Sequence, residues 1–229
     1  MPSIKAIACV LPKKKIENKY FYKNFEKEHL NSAFKIVGVE NRFWAESEDT
    51  LSLCVSAAEN LFSELMEKNI NIRNKIDLLI FVTQTPSSMM PAIAYDAHSK
   101  LNLTDNCGCY SLNAGCTGYV EGIGLMYDLI NAREYKNGLL LVGDTLSNYL
   151  DKQDSSTTPI FGDAGTATWV SSQDKENKYL FLNGTKPKST NAISLNNKSF
   201  LKMKGLDVFN FTINGIPKFI NSIKVKWEE

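Results

Sequence analysis

The sequence predicts an α/β protein with a mainly parallel sheet, and three observations carry that expectation. Apolar runs of strand length alternate with helix-period segments from residue 50 to residue 170. Ile76 to Val82 (Ile-Asp-Leu-Leu-Ile-Phe-Val) is almost continuously apolar, the pattern of a parallel strand covered on both faces. Leu53, Ala57, Leu61 and Leu65 recur every four residues within Thr50 to Lys68, giving a helix whose stripe is wide enough to lie on a sheet.

In chain order, Ser3 to Leu11 reads as a buried strand, followed by a polar turn at Pro12 and Lys13. Lys19 to Glu28 spaces aromatic and charged residues at a helical period, and Gly38 to Trp44 reads as an irregular link. Glu48 and Asp49 open the Thr50 helix with the acidic start that helix termini favour. Thr83 to Pro91 is a loop punctuated by Pro86 and Pro91. It carries Met89 and Met90, which fit either a surface role or ordinary core filling. A helix over Ala92 to Leu101, a strand over Cys107 to Asn113, a helix from Tyr119 to about Ala132 and a strand over Gly138 to Gly143 follow. Phe161 to Gly165 is a Gly-rich turn leading into a last strand that ends at Val170. It lacks the Lys-Ser/Thr ending of a phosphate loop and the spacing of a dinucleotide fingerprint. From Ser171 to Ser199 the composition shifts to Asn, Lys, Ser and Gln, as in a surface excursion or linker, and Phe200 to Val225 resumes as a helix disturbed at Pro217.

With 229 residues, 43% hydrophobic content and a net charge of +1, the composition is that of a soluble globular protein. The near-zero charge gives no case for nucleic acid, and Lys13-Lys14-Lys15 reads as a solvated turn. No run is long enough to span a membrane, and Met1 to Leu11 lacks the apolar core of a secretory signal, so a cytoplasmic protein is expected. Five cysteines without framework spacing read as free thiols of a reducing compartment. Cys107 and Cys109 raise the idea of a metal, but only His29 and His98 exist to join them and no second Cys pair completes a tetrahedral set. No metal is expected.

The stretch Gly108-Cys109-Tyr110-Ser111-Leu112-Asn113-Ala114-Gly115-Cys116-Thr117-Gly118-Tyr119 places Cys116 where a strand gives way to a helix. The first amides of a helix have no partner within it and form the positive end of its dipole, so a sulfur there is favoured as an anionic nucleophile toward thioesters. Small neighbours leave room for a substrate arm. The same cluster also fits a buried, inert cysteine.

Several stretches, in order, resemble the ketoacyl-ACP synthase III group of thiolase-like condensing enzymes. They are Gly38-Val39-Glu40-Asn41-Arg42, the strand Ile76 to Val82, Pro91, Asn113-Ala114-Gly115-Cys116-Thr117-Gly118, Val142-Gly143-Asp144 and Phe161-Gly162-Asp163-Ala164-Gly165. The resemblance covers residues 1–172 as an N-terminal half, with 173–199 as the excursion and 200–229 as the start of a second half. It implies a layered αβαβα sandwich whose second half is largely absent from this chain. It also implies an acyltransferase of fatty acid biosynthesis. Cys116 would take an acyl group from a CoA or acyl carrier protein thioester, for decarboxylative condensation with malonyl-ACP, with no cofactor besides that thioester. Met90 would shape a partner's acyl pocket across a homodimer, and Gly205 and Phe209 would line the pantetheine tunnel.

The sequence also departs from the family. The family's motifs for the histidine and asparagine that hold the extender thioester, a His-Gln-Ala-Asn type stretch and a later Asn-rich turn, occur nowhere after Phe209. Ser32, Ile36 and Ser155 stand where the residues that grip a CoA nucleotide would fall, so an acyl carrier protein is as good a donor as CoA. A half exposing a large apolar face calls for a dimer or another partner. The second reading is therefore a degenerate, non-catalytic subunit that partners a full-length condensing enzyme.

Overall fold

The computed structural model describes residues 1–172, 179–186, 190–195 and 200–228. In chain order its elements are β1 (Ser3–Val10), β2 (Lys14–Glu17), α1 (Lys27–Val37), β3 (Asn41–Trp44), α2 (Thr50–Glu67), β4 (Leu78–Val82), α3 (Ile93–Lys100), β5 (Gly108–Leu112), α4 (Gly118–Arg133), β6 (Asn137–Asp144), β7 (Ala164–Ser171), β8 (Ile193–Ser194), β9 (Lys202–Met203), α5 (Gly205–Asn214) and α6 (Ile216–Glu228). Two compact units divide them. The first comprises Met1–Lys15, Phe43–Thr145 and Gly162–Lys178, the second Ile16–Arg42, Leu146–Phe161 and Tyr179–Glu229, as far as the residues are described.

The first unit is built on a five-stranded sheet of order β1-β7-β6-β4-β5. β4 runs parallel to both β5 and β6, so that Val82 stands beside Leu112 and beside Val142. All five β4 side chains are buried, as its unbroken apolar run requires. β7 is antiparallel to β6 and to β1, which makes the sheet mixed rather than mainly parallel. No α-helix lies between β6 and β7 to carry the chain back to the starting end, so β7 enters in the opposite direction. β1 proves to be an edge strand, not a buried one: it pairs only with β7, and Ile4 and Ile7 remain 42% and 54% exposed.

Helices cover both faces of this sheet. On one side Ala57, Ala58, Leu61 and Leu65 of α2 and Ile93, Ala94 and Ala97 of α3 pack with Leu79, Phe81, Leu139 and Leu141. On the other, Met126 and Ile130 of α4 pack with Leu78, Ile80, Val82 and Leu140. This αβα half is the layer structure that the alternating pattern predicts. α2 starts at a capping box in which Asp49 accepts from the Ser52 amide at 2.7 Å while the Asp49 amide donates to Ser52 Oγ at 2.9 Å. A side chain at Gly165 would meet the backbone of Leu53 and Cys54 within 2.6 Å, so glycine there lets α2 lie directly on the sheet.

In the second unit α1 ends at Gly38, whose left-handed φ of 75° terminates the helix. Arg42 is buried, with its guanidinium 4.8 Å from the Phe21 ring centre and 5.4 Å from that of Phe34, and it donates to Asn18 Oδ1 at 2.6 Å. Two expectations are corrected here. The Lys13–Lys15 run leads into β2 instead of staying in a solvated turn, and the irregular link contains β3. Buried Ile16 and buried Arg42 and Trp44 give each segment the alternation of a half-covered strand. The helix expected to be disturbed at Pro217 is two helices, and the break is at Gly215; Pro217 sits in the first turn of α6, where its missing N–H costs nothing. Of the 173–199 segment, residues 173–178, 187–189 and 196–199 lie outside the described residues, while β8 within it pairs antiparallel with β9. Among the described residues no helix is long and apolar enough to cross a membrane.

Candidate active site

Three parallel strands, β5, β4 and β6, end at the same side of the first unit's sheet, and the chain leaves them through loops at Asn113, Thr83 and Thr145. Carboxyl ends of parallel strands are where open α/β sheets place their ligands. Cys116 lies there, in a single 3-10 turn (Gly115–Thr117) between β5 and α4, and it is exposed. The inert-core reading of this cysteine therefore fails.

The turn is held by its neighbours. Gly115 adopts φ +58°, a left-handed conformation that glycine takes at little cost. The Gly115 amide donates to Asn113 Oδ1 at 3.4 Å, and Thr117 Oγ1 donates to the Ala114 carbonyl at 2.8 Å. A side chain at Gly118 would come within 2.7 Å of Val82, so the start of α4 packs directly against the end of β4. The opening amides of α4 thus face the same end of the sheet as the sulfur.

Beneath the turn lies a polar network centred on Asp144 at the end of β6. Its Oδ1 accepts from Thr83 Oγ1 (2.9 Å), the Gln84 amide (2.7 Å), the Thr85 amide (3.1 Å) and Thr85 Oγ1 (3.0 Å). Its Oδ2 accepts from Gln84 Nε2 at 3.1 Å. Thr50 Oγ1 lies 2.9 Å from Thr85 Oγ1 and 3.1 Å from Thr145 Oγ1, which ties the same loop to α2 and to the chain after β6. Gln84 then presents Oε1 at 3.9 Å from the place of a Gly115 Cβ. One carboxylate so fixes the loop that borders the cysteine turn. Sequence reasoning missed Gln84 and the anchoring role of Asp144; the signal was a Thr-Gln-Thr run after one strand facing an aspartate that ends the next.

The Gly162–Gly165 turn is structural, as expected: buried Asp163 accepts from the Ala45 amide at 2.7 Å, and its own amide donates to the Phe43 carbonyl at 2.8 Å. Met90 is 86% exposed in the 83–91 loop, and so is Met89, which removes core filling as their role. Gly205 and Phe209 belong to the other compact unit, one turn apart on α5, with Phe209 50% exposed. His29 is exposed on α1.

Cys9, on the edge strand β1, is exposed like Cys116, and the other three cysteines are not. Cys54 is a buried residue of α2, and burial pushes its thiol up to about 12. Cys107 and Cys109 are half-buried. The hydrogen bond between them holds Cys109 down at about 7 and pushes Cys107 well up. His98, one of the two histidines available to join them, stands beside this pair: one imidazole nitrogen and the two sulfurs lie within 4.8 Å of one another.

A mixed five-stranded sheet sandwiched by helices, with an exposed cysteine at a helix start beyond the carboxyl end of a parallel strand, is the layered arrangement of the thiolase-like class. Residues 110–184 match the family model described as 3-oxoacyl-[acyl-carrier-protein] synthase III. The chain is 31% identical over 192 residues to the beta-ketoacyl-[acyl-carrier-protein] synthase III of Acholeplasma laidlawii, covering 82% of this chain and 60% of that protein. The crystal structure of a 3-oxoacyl-(acyl-carrier protein) synthase from Burkholderia xenovorans superposes with a TM-score of 0.85 at 30% identity, over 96% of this chain and 68% of that one. The fold is also that of the synthase III of Aquifex aeolicus, with a TM-score of 0.81 at 24% identity over 92% of this chain and 67% of that one. The chain belongs to the beta-ketoacyl-ACP synthase III family, and it spans 60% of the length of the Acholeplasma relative.

Proposed function

We propose that this chain is the acyl-accepting half of a synthase III condensing enzyme, with Cys116 as the catalytic nucleophile. The observation that carries the reading is the exposed sulfur on the left-handed Gly115 turn, at the helix start. The Cys116 thiolate attacks the carbonyl carbon of an acyl-CoA or acyl carrier protein thioester. The resulting oxyanion is met by the Cys116 backbone amide. The carbon–sulfur bond to the pantetheine thiol then breaks, and that thiol leaves with the proton that Cys116 gave up. The acyl group remains as a thioester, active enough for a carbanion from decarboxylated malonyl-ACP to displace Cys116 again. Met90, exposed on its loop, reaches a partner copy's acyl pocket in a cytoplasmic homodimer, and Gly205 and Phe209 border the pantetheine arm.

The condensing step needs donors to the malonyl thioester carbonyl, and the sequence holds no histidine beyond His98. Acylation of Cys116 is therefore the step assigned to the residues of this chain. The second reading is a subunit that partners a full-length condensing enzyme without acylation of its own.

Intact-protein mass spectrometry after incubation with short acyl-CoA and acyl-ACP thioesters separates the two. The first reading expects one acyl adduct that Cys116→Ala abolishes. No adduct, or an equal one on the variant, refutes it in favour of the partner subunit.

A further inference from the structure

The first unit carries a second cluster at the other end of the strand that leads to Cys116. We propose that His98, Cys107 and Cys109 form a binding site for one zinc-class divalent cation, held by two thiolates and one imidazole with a fourth position open to water. Among the described residues this is the group of metal-ligating side chains whose donor atoms converge, all within 4.8 Å of one another. A tetrahedral zinc with bonds of about 2.3 Å to sulfur and about 2.0 Å to nitrogen sets its donors somewhat under 4 Å apart, so small side-chain rotations close the site.

The ligands come from elements whose positions are already fixed. His98 is on α3, whose Ala94 amide donates to Ser111 Oγ of β5 at 3.1 Å. Cys109 is within β5, opposite Leu79 of β4. The Cys107 amide donates to the Thr104 carbonyl at 3.0 Å, and the Gly108 amide donates to the Asp77 carbonyl at 2.9 Å. Both sulfurs pack on the α2–α3 side of the sheet, the side on which His98 stands.

The tautomer of the imidazole suits ligation through Nδ1. His98 Nε2 lies 3.0 Å from the Thr104 carbonyl oxygen, which can only accept, so Nε2 carries the proton and Nδ1 keeps the lone pair. A backbone carbonyl that fixes the tautomer in this way is the usual outer partner of a metal-bound histidine. Two sulfurs and one nitrogen select a soft or borderline cation over magnesium or calcium, which want oxygen. Binding releases the thiol protons to solvent, and the site ties the 101–107 turn to α3 and β5.

The test uses the full chain, reduced with a phosphine, stripped by a chelator and titrated with Co2+ and then Zn2+. The expected result is one equivalent of cobalt with a thiolate-to-metal charge-transfer band, displaced by zinc, and a rise in melting temperature on zinc saturation. Cys107→Ser, Cys109→Ser and His98→Ala, each checked for folding by circular dichroism, lose affinity by about a hundredfold or more, whereas Cys116→Ser keeps it. Zinc X-ray absorption on the unaltered chain should count two sulfurs. Absence of the band, its survival in Cys107→Ser and Cys109→Ser, its loss in Cys116→Ser, or a sulfur count other than two overturns the proposal.

Discussion

The two ends of β5 carry the same side chain and differ in nearly everything that decides its chemistry. Beyond the carboxyl end, Cys116 stands exposed on a left-handed glycine turn, beside a loop gripped by Asp144 and directly ahead of α4. At the amino end, Cys107 and Cys109 are half-buried, face each other, and have an imidazole within reach. Sulfur at a helix start with open space in front is arranged to attack, and sulfur paired with sulfur and nitrogen in a cramped, ordered turn is arranged to bind. On the roles proposed for them, place in the sheet, rather than residue type, separates the two.

The largest effect that would break this comparison is expected from Asp144→Ala. Five hydrogen bonds to one carboxylate are lost and several donors of the 83–85 loop are left without an acceptor, so urea unfolding should show a loss of about 3 kcal/mol. Acylation of Cys116 should fall with it, and metal binding at the amino end should not. Gly115→Ala comes next. A side chain at φ +58° costs roughly 1–2 kcal/mol, and misplacing the turn should slow acylation by about tenfold, read by quenched-flow mass spectrometry.

Cys54 sharpens the contrast as a thiol that does neither job. Its folded pKa, raised by burial to about 12, exceeds the ordinary thiol value, so the folded chain holds a proton that the unfolded chain gives up. Its contribution is whole below about pH 9 and is lost as pH rises from there toward 12. Wild type should therefore lose more stability than Cys54→Ala between pH 8 and pH 10, by on the order of 1 kcal/mol, in urea titrations. The smallest effect belongs to Gly205→Ala. Nothing lies within 4 Å of the added methyl, so stability should hold within about 0.5 kcal/mol, and any change in KM for the acyl thioester reports a contact with substrate.

Much of this was legible in the sequence, for reasons specific to each element. α2 and β4 bury one wide stripe and both faces respectively, so their periodicity states their environment. The small residues around Cys116 likewise announce a tight turn between a strand and a helix. The edge position of β1 and the reversed β7 were not legible, because an apolar strand does not record which neighbour it pairs with or in which direction. Lys13–Lys15 reads as a solvated turn because its three lysines precede the single buried residue of β2, Ile16. His98 and Cys107 are joined through a turn in which Asn102 adopts φ 49°, and no spacing rule reports that fold-back. α5 and α6 bury none of their side chains among the described residues, so their apolar pattern signals a surface to be covered without saying by what.

The most direct test sets all five cysteines in one experiment: the reduced chain is exposed to an acyl thioester and digested, and the acyl group is mapped by tandem mass spectrometry. The account predicts acyl on the Cys116 peptide, and none on the peptide of Cys107 and Cys109, on that of Cys54 or on that of Cys9, which is exposed but lies on the edge strand β1 away from any helix start. Acyl spread evenly over the exposed and half-buried thiols, or concentrated on Cys109, would contradict it.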